Sequence, residues 1–160
     1  MENKESPKAT GISELTGKVV RVRHATEADM VFVEETLKKY QFYAENPDYN
    51  DFVVATENGD IVGLGNMKKT GGIYAVGCIV VVEEKRGRGI GQLIAKHLVD
   101  YASVDRVYVM TDLADYFKKL GFVEMKDISK EYLAALDLIC KTGEKTKKVL
   151  MSQEKPGKQT

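Results

Sequence analysis

Apolar and polar positions along this chain switch repeatedly between a period of two and a period of 3.6, and the switches mark its elements. Residues 18–23 put Val20 and Val22 on one face, the pattern of a short strand. Thr26 followed by Asp29 is a helix-start signature, and Met30, Val33, Leu37 and Tyr40 continue it as an apolar stripe. A polar, aromatic-rich stretch over residues 40–49 follows, interrupted by Pro47. Residues 52–56 and 61–67 are two β-runs around Asn58-Gly59, a dipeptide that accepts the positive φ of a tight hairpin. Residues 73–82 are almost wholly apolar, which predicts a strand central in the sheet. A glycine-rich turn then leads into a helix with Ile90, Leu93, Ile94, His97, Leu98 and Tyr101 at helical spacing.

Beyond it the pattern predicts a strand over 106–110, a short helix over 113–120, a strand over 122–125, a helix over 129–140 and a last strand over 146–151. Residues 1–17 and 152–160 carry charge and small residues without periodicity and read as mobile tails. Residues 18–151 thus read as one mixed α/β domain in the order β-α-(α)-β-β-β-α-β-α-β-α-β, without internal repeats.

Composition narrows the function classes. The chain has 160 residues, 43% of them hydrophobic and 30% charged, an ordinary globular mixture for one domain. Lys plus Arg and Asp plus Glu are both 24, so no global basic field recruits nucleic acid or an anionic membrane. Cys78 and Cys140 lie far apart in apolar surroundings, and with His24 and His97 they form no metal-ligand spacing. Neither a signal peptide nor a bilayer-spanning segment is visible, and a cytoplasmic protein is expected.

One segment carries chemistry. Ile79, Val80 and Val81 close a strand, and Arg86, Gly87, Arg88, Gly89, Ile90, Gly91 and Gln92 form a tight turn into a helix. Glycines allow positive φ and leave no Cβ in a ligand's way. Backbone N–H groups at the start of a helix make an anion site, and two arginines add charge suited to a diphosphate. A nucleotide P-loop needs Gly-Lys-Ser/Thr, and neither Ser nor Thr follows here. The dinucleotide fingerprint needs the spacing G-x-G-x-x-G, whereas these glycines stand at 87, 89 and 91.

What fits is Arg-x-x-Gly-x-Gly from Arg86 to Gly91, which resembles the signature loop of the GNAT superfamily of N-acetyltransferases. Tyr116-Phe117-Lys118-Lys119-Leu120-Gly121-Phe122 looks like that family's aromatic-aromatic-x-x-x-Gly-Phe element. With Thr111 ahead of it, the segment is similar in tone to stand-alone N-acetylglutamate synthase-like domains. The resemblance covers roughly residues 18–151. It implies a GNAT fold: a mixed, mostly antiparallel sheet of six to seven strands, flanked by helices, with splayed central strands.

It also implies acetyl-CoA or coenzyme A as co-substrate, no metal, a small-molecule amine acceptor and room for a homodimer. The residues at the coenzyme would be Ile79, Val80, Val81, Arg86, Gly87, Arg88, Gly89, Ile90, Gly91, Gln92, Thr111 and Phe117. Backbone N–H groups near Ile79 and Val81 would hold the pantetheine arm and polarise the acetyl carbonyl.

The family's usual phenol position is Phe117 here, so Tyr116, one residue earlier, is the candidate general acid. Ala75 stands where an acidic residue is frequent. Glu83, Glu84 and His24 are weaker candidates for moving protons, and solvent is an alternative. Arg23 is a candidate for a substrate carboxylate, with Arg21 and Arg106 behind it. Tyr43 belongs to an aromatic segment expected to wall the acceptor site. The implied function is acetyl transfer to a primary amine of a small molecule, in the direction of an amino acid. A peptide or protein amine as acceptor, and a coenzyme-A-binding sensor without catalysis, remain alternatives.

Overall fold

A computed structural model describes residues 11–15, 18–42, 47–70, 72–126, 129–130 and 149–155. These residues group into two compact units. The first comprises the described residues up to Asn66 together with Cys78–Leu98; the second comprises Met67–Gly77 and the described residues from Val99 on.

In the first unit β1 (Gly11–Leu15), β2 (Lys18–His24), β3 (Phe52–Glu57) and β4 (Asp60–Thr70, as far as Asn66) pair antiparallel in sequence order. Residues 11–15, expected in a tail, are a strand because ladder hydrogen bonds join backbone groups and need no side-chain periodicity. Val20 and Val22 share the buried face as their spacing predicts. Thr26 and Asp29 form the predicted capping box, which opens a short 3₁₀ turn continued by α1 (Met30–Lys39). Asn58 at φ 54° and Gly59 at φ 83° make the predicted tight hairpin between β3 and β4.

Val33 and Leu37 of α1 pack with Phe52, Val54, Leu64, Cys78 and Val80 in one core cluster. Fully burying one such Val, Leu or Phe stabilises a fold by about 1.5–3 kcal/mol. The helix α2 (Ile90–Tyr101) sits tightly on β4 through two glycines. A Cβ on Gly65 would lie 2.6 Å from Cγ2 of Ile94, and one on Gly63 would lie 3.0 Å from the Val80 carbonyl oxygen. Small residues on the strand therefore set how closely the helix approaches, and with it where the helix begins.

The second unit contains the first part of β5 (Ile73–Val81), β6 (Arg106–Thr111), β7 (Val123–Glu124) and β8 (Val149–Glu154). β5 and β6 are parallel, from Tyr74 against Val107 to Val76 against Val109. β6 pairs antiparallel with β8, which also carries β7. The last strand, expected over 146–151, thus extends to Glu154: Ser152, Gln153 and Glu154 pair with Tyr108, Val107 and Arg106 instead of forming a tail. Among the described residues eight strands form the expected mixed, mostly antiparallel pattern, with β1 beyond the expected six or seven. The helix expected over 129–140 lies, from residue 131 on, outside the described residues.

The aromatic-rich segment has a local explanation. The helix α3 (Ala114–Lys119) ends in a Schellman motif, with Gly121 at φ 98°. Gly121 N–H donates to the Lys118 carbonyl and Phe122 N–H to the Phe117 carbonyl, both at 3.0 Å. The Phe117 and Phe122 rings meet edge to face at 5.5 Å, the hydrophobic contact this motif favours.

Candidate active site

β5 leads to the turn that the sequence singles out, and hydrogen-bond alternation orients its backbone. Cys78 N–H donates to Oδ1 of the buried Asn66 at 2.9 Å, and Val82 N–H donates to the Val62 carbonyl at 2.9 Å. Both face β4. Successive residues of a strand direct their N–H groups to opposite edges. Ile79 and Val81 therefore direct theirs to the other edge, and among the described residues the register pairs of β5 with β6 stop at Val76.

After Val82, a 3₁₀ turn over Glu83–Lys85 leads into the glycines. Gly87 stands at φ 79° and Gly89 at φ 83°, a region costly for any residue with a Cβ. A Cβ on either would meet nothing within 4 Å, so conformation, not packing, calls for glycine there. Gly91 differs from the expectation. It lies inside α2 and is buried, outside the positive-φ set, because the helix already starts at Ile90. Leu93 N–H makes the first i to i−4 bond, to the Gly89 carbonyl at 3.1 Å. By helix geometry the N–H groups of Ile90, Gly91 and Gln92 have no acceptor within the helix, and they sit at its positive end. Open space over two positive-φ glycines, bordered by those donors, fits a diphosphate group.

The basic side chains of the turn are tied down. Arg86 Nε donates to the Val81 carbonyl at 2.8 Å, and its guanidinium lies 5.6 Å from the centre of the Tyr40 ring. Lys85 Nζ lies 2.8 Å from Oε1 of Glu57, and Arg88 Nη2 lies 2.6 Å from Oε2 of the same carboxylate. Hydrogen bonds from Arg88 and then Lys85 hold the Glu57 carboxyl down at about 2, against an ordinary value of 4.5. Nothing in the sequence marked Glu57. As the last residue before an Asn-Gly turn it reads as solvated, and only the tertiary structure buries it.

Arg23 has a partner other than the carboxylate ligand expected for it. Its Nη1 and Nη2 donate to the two oxygens of Asp29 at 2.8 and 3.2 Å, and Nη1 also donates to the His24 carbonyl at 3.0 Å. Burial pushes the Asp29 carboxyl up, but hydrogen bonds from Arg23 and Thr26 outweigh this and leave it below its ordinary value. The His24 ring meets His97 edge to face at 5.4 Å, and burial lowers the His24 pKa. Tyr43 lies outside the described residues.

Thr111, Tyr116 and Phe117 belong to the second unit. Thr111 Oγ1 accepts from Leu113 N–H at 2.8 Å and so organises the entry to α3. Phe117 is buried between the rings of Tyr116 and Phe122. Tyr116 stays 38% exposed, and partial burial raises its phenol above the ordinary 10.0, keeping it protonated at neutral pH.

Residues 48–124 match the family model described as an acetyltransferase (GNAT) domain. The match takes in just under half of the chain, which over that stretch is similar to the GNAT acetyltransferases. It is 33% identical over 86 residues to an uncharacterized N-acetyltransferase of Chlorobaculum tepidum, a match covering 51% of this chain and 54% of the relative. The chain thus spans about half the length of that relative. In fold it is similar to N-acetylglutamate synthase of Neisseria gonorrhoeae, solved with coenzyme A and N-acetyl-glutamate. There the TM-score is 0.68 at 13% identity, over 98% of this chain and 37% of the synthase chain. Rv2747 of Mycobacterium tuberculosis, solved with CoA and NLQ, gives a TM-score of 0.69 at 20% identity, over 83% of this chain and 98% of its own. At such identities the likeness is one of fold. Among the described residues no helix is long and apolar enough to cross a membrane, and no group of three or more His, Cys, Asp or Glu is placed to hold a metal.

Proposed function

We propose that this chain is an acetyl-CoA-dependent N-acetyltransferase that moves the acetyl group directly to a primary amine of a small molecule, in the class of amino acids. The observation that carries the reading is the turn at Gly87 and Gly89. It combines positive φ, open space and the N-terminal donors of α2 at one place. Acetyl-CoA supplies the activated thioester and a diphosphate by which it is held. The backbone of residues 86–92 takes the diphosphate, with Ile90, Gly91 and Gln92 at the helix end. The N–H groups of Ile79 and Val81, on the β5 edge away from β4, hold the pantetheine arm and stabilise negative charge as it develops on the acetyl oxygen. Tyr116 is the candidate proton donor to the departing thiolate, and its raised pKa keeps that proton in place.

The amino-acid class is supported by the likeness to the N-acetylglutamate synthase fold and by the Thr111 to Phe122 segment. Free-thiol release from acetyl-CoA, measured across a panel of amino acids, polyamines and short peptides, tests the proposal. Turnover with one or more amino acids is expected. Preference for peptides would replace the acceptor class, and tight CoA binding without turnover on any amine would turn the enzyme into a sensor.

A further inference from the structure

Glu57 closes β3 one residue before the Asn58-Gly59 turn, and its side chain is only 2% exposed. A carboxylate in such a place is costly unless both oxygens are matched by donors. Here each oxygen takes a different cation, Lys85 on Oε1 and Arg88 on Oε2. These two residues flank Arg86-Gly87. One buried carboxylate thus grips the turn on both sides of its first positive-φ glycine, reaching Arg88 across 31 residues of sequence.

We propose that Glu57 is a positioning residue for the diphosphate-binding turn, and that Lys85 and Arg88 act through it rather than as ligands of the diphosphate. This rests on the coenzyme reading above and deepens it. The carboxylate offsets one of the two positive charges it holds and occupies Lys85 Nζ and Arg88 Nη2, so the diphosphate is taken chiefly by the backbone donors of residues 86–92 and the positive end of α2. Its work is done before the ligand arrives. A turn already held in its bound shape loses less conformational freedom on binding.

The test compares wild type with Glu57→Gln, Arg88→Gln and the double variant, using CoA as ligand and acetyl-pantetheine, which lacks the diphosphate, as alternative thioester substrate. Each single variant should weaken CoA about tenfold, and the double variant no more than about threefold beyond the worse single, because both changes break one contact. Use of acetyl-pantetheine should change by less than about twofold, a contrast that general damage to the fold would not produce. Unchanged or tighter CoA binding by Glu57→Gln, or losses that simply add, would overturn the proposal.

Amide hydrogen exchange of Arg88→Gln without ligand gives a second reading that does not depend on Glu57→Gln folding. Residues 86–92 should exchange faster than in wild type, since the turn is loosened before any phosphate is present. Unchanged exchange would make Arg88 a direct ligand and sink the inference. If wild type itself binds no CoA, the coenzyme reading fails, while the exchange experiment still decides whether Glu57 holds the turn.

Discussion

Gly89→Val separates two reasons for a glycine at that position. Gly89 stands at φ 83°, where a side chain costs roughly 1–2 kcal/mol and a β-branched one somewhat more. Its Cβ would meet no atom within 4 Å, so the ligand-free protein suffers the backbone strain and little else. For a domain of this size that is a fall in Tm of about 2–8 °C. Binding should suffer more. The added methyl groups stand in the open space assigned to the diphosphate and screen the N–H groups of Ile90, Gly91 and Gln92. A loss of at least about 100-fold in CoA affinity is expected, equivalent to about 2.8 kcal/mol. Isothermal calorimetry measures it, with thermal unfolding followed in parallel. Gly72→Val is the matched control, because Gly72 has φ 84° and equally empty surroundings. It should cost similar stability and leave CoA affinity alone. Wild-type affinity in Gly89→Val, or an equal loss of affinity in Gly72→Val, would refute the assignment of the turn.

Three further outcomes are expected. Tyr116→Phe should lower kcat by about 10²-fold or more while the KM for acetyl-CoA stays put, as for loss of a general acid; unchanged kcat would leave solvent to supply the proton. Asn66→Ala removes the acceptor of Cys78 N–H inside the first unit and should destabilise by about 1–3 kcal/mol in urea unfolding, the usual cost of a buried donor left unmatched. Glu57 has a folded pKa of about 2 against 4.5, so its contribution is present above pH 4.5 and is lost as pH falls toward 2. Acid unfolding followed by circular dichroism should therefore show a shallower pH dependence in Glu57→Gln than in wild type.

What the sequence determined by itself is whatever depends on a few neighbouring residues. The Asn58-Gly59 hairpin, the Thr26–Asp29 capping box and the glycine turn before α2 follow from local φ preferences and hydrogen bonds across three or four residues, and all are present in the structure. The Phe117 to Phe122 element is similarly local, since a Schellman motif needs only a helix end, a glycine and two apolar residues. The apolar run of β5 announced a strand, but only the structure shows that its second half alternates, with Val76, Cys78 and Val80 buried and Gly77, Ile79 and Val81 half-buried.

The tertiary structure alone decided which partners the charged side chains found. Arg88 read as a phosphate ligand, yet the fold delivers a buried carboxylate to it from β3. Arg23 read as a substrate anchor, yet Asp29 takes both of its terminal nitrogens. Long cations on flexible stems accept any well-placed anion within a few ångströms, and chain separation does not predict which one comes near. The same holds for Gly91, where a third glycine in the turn looked conformational until the start of α2 placed it in helix. Local sequence fixes backbone shape over a turn or two, whereas pairing among distant groups depends on which of them packing brings together and shields from water.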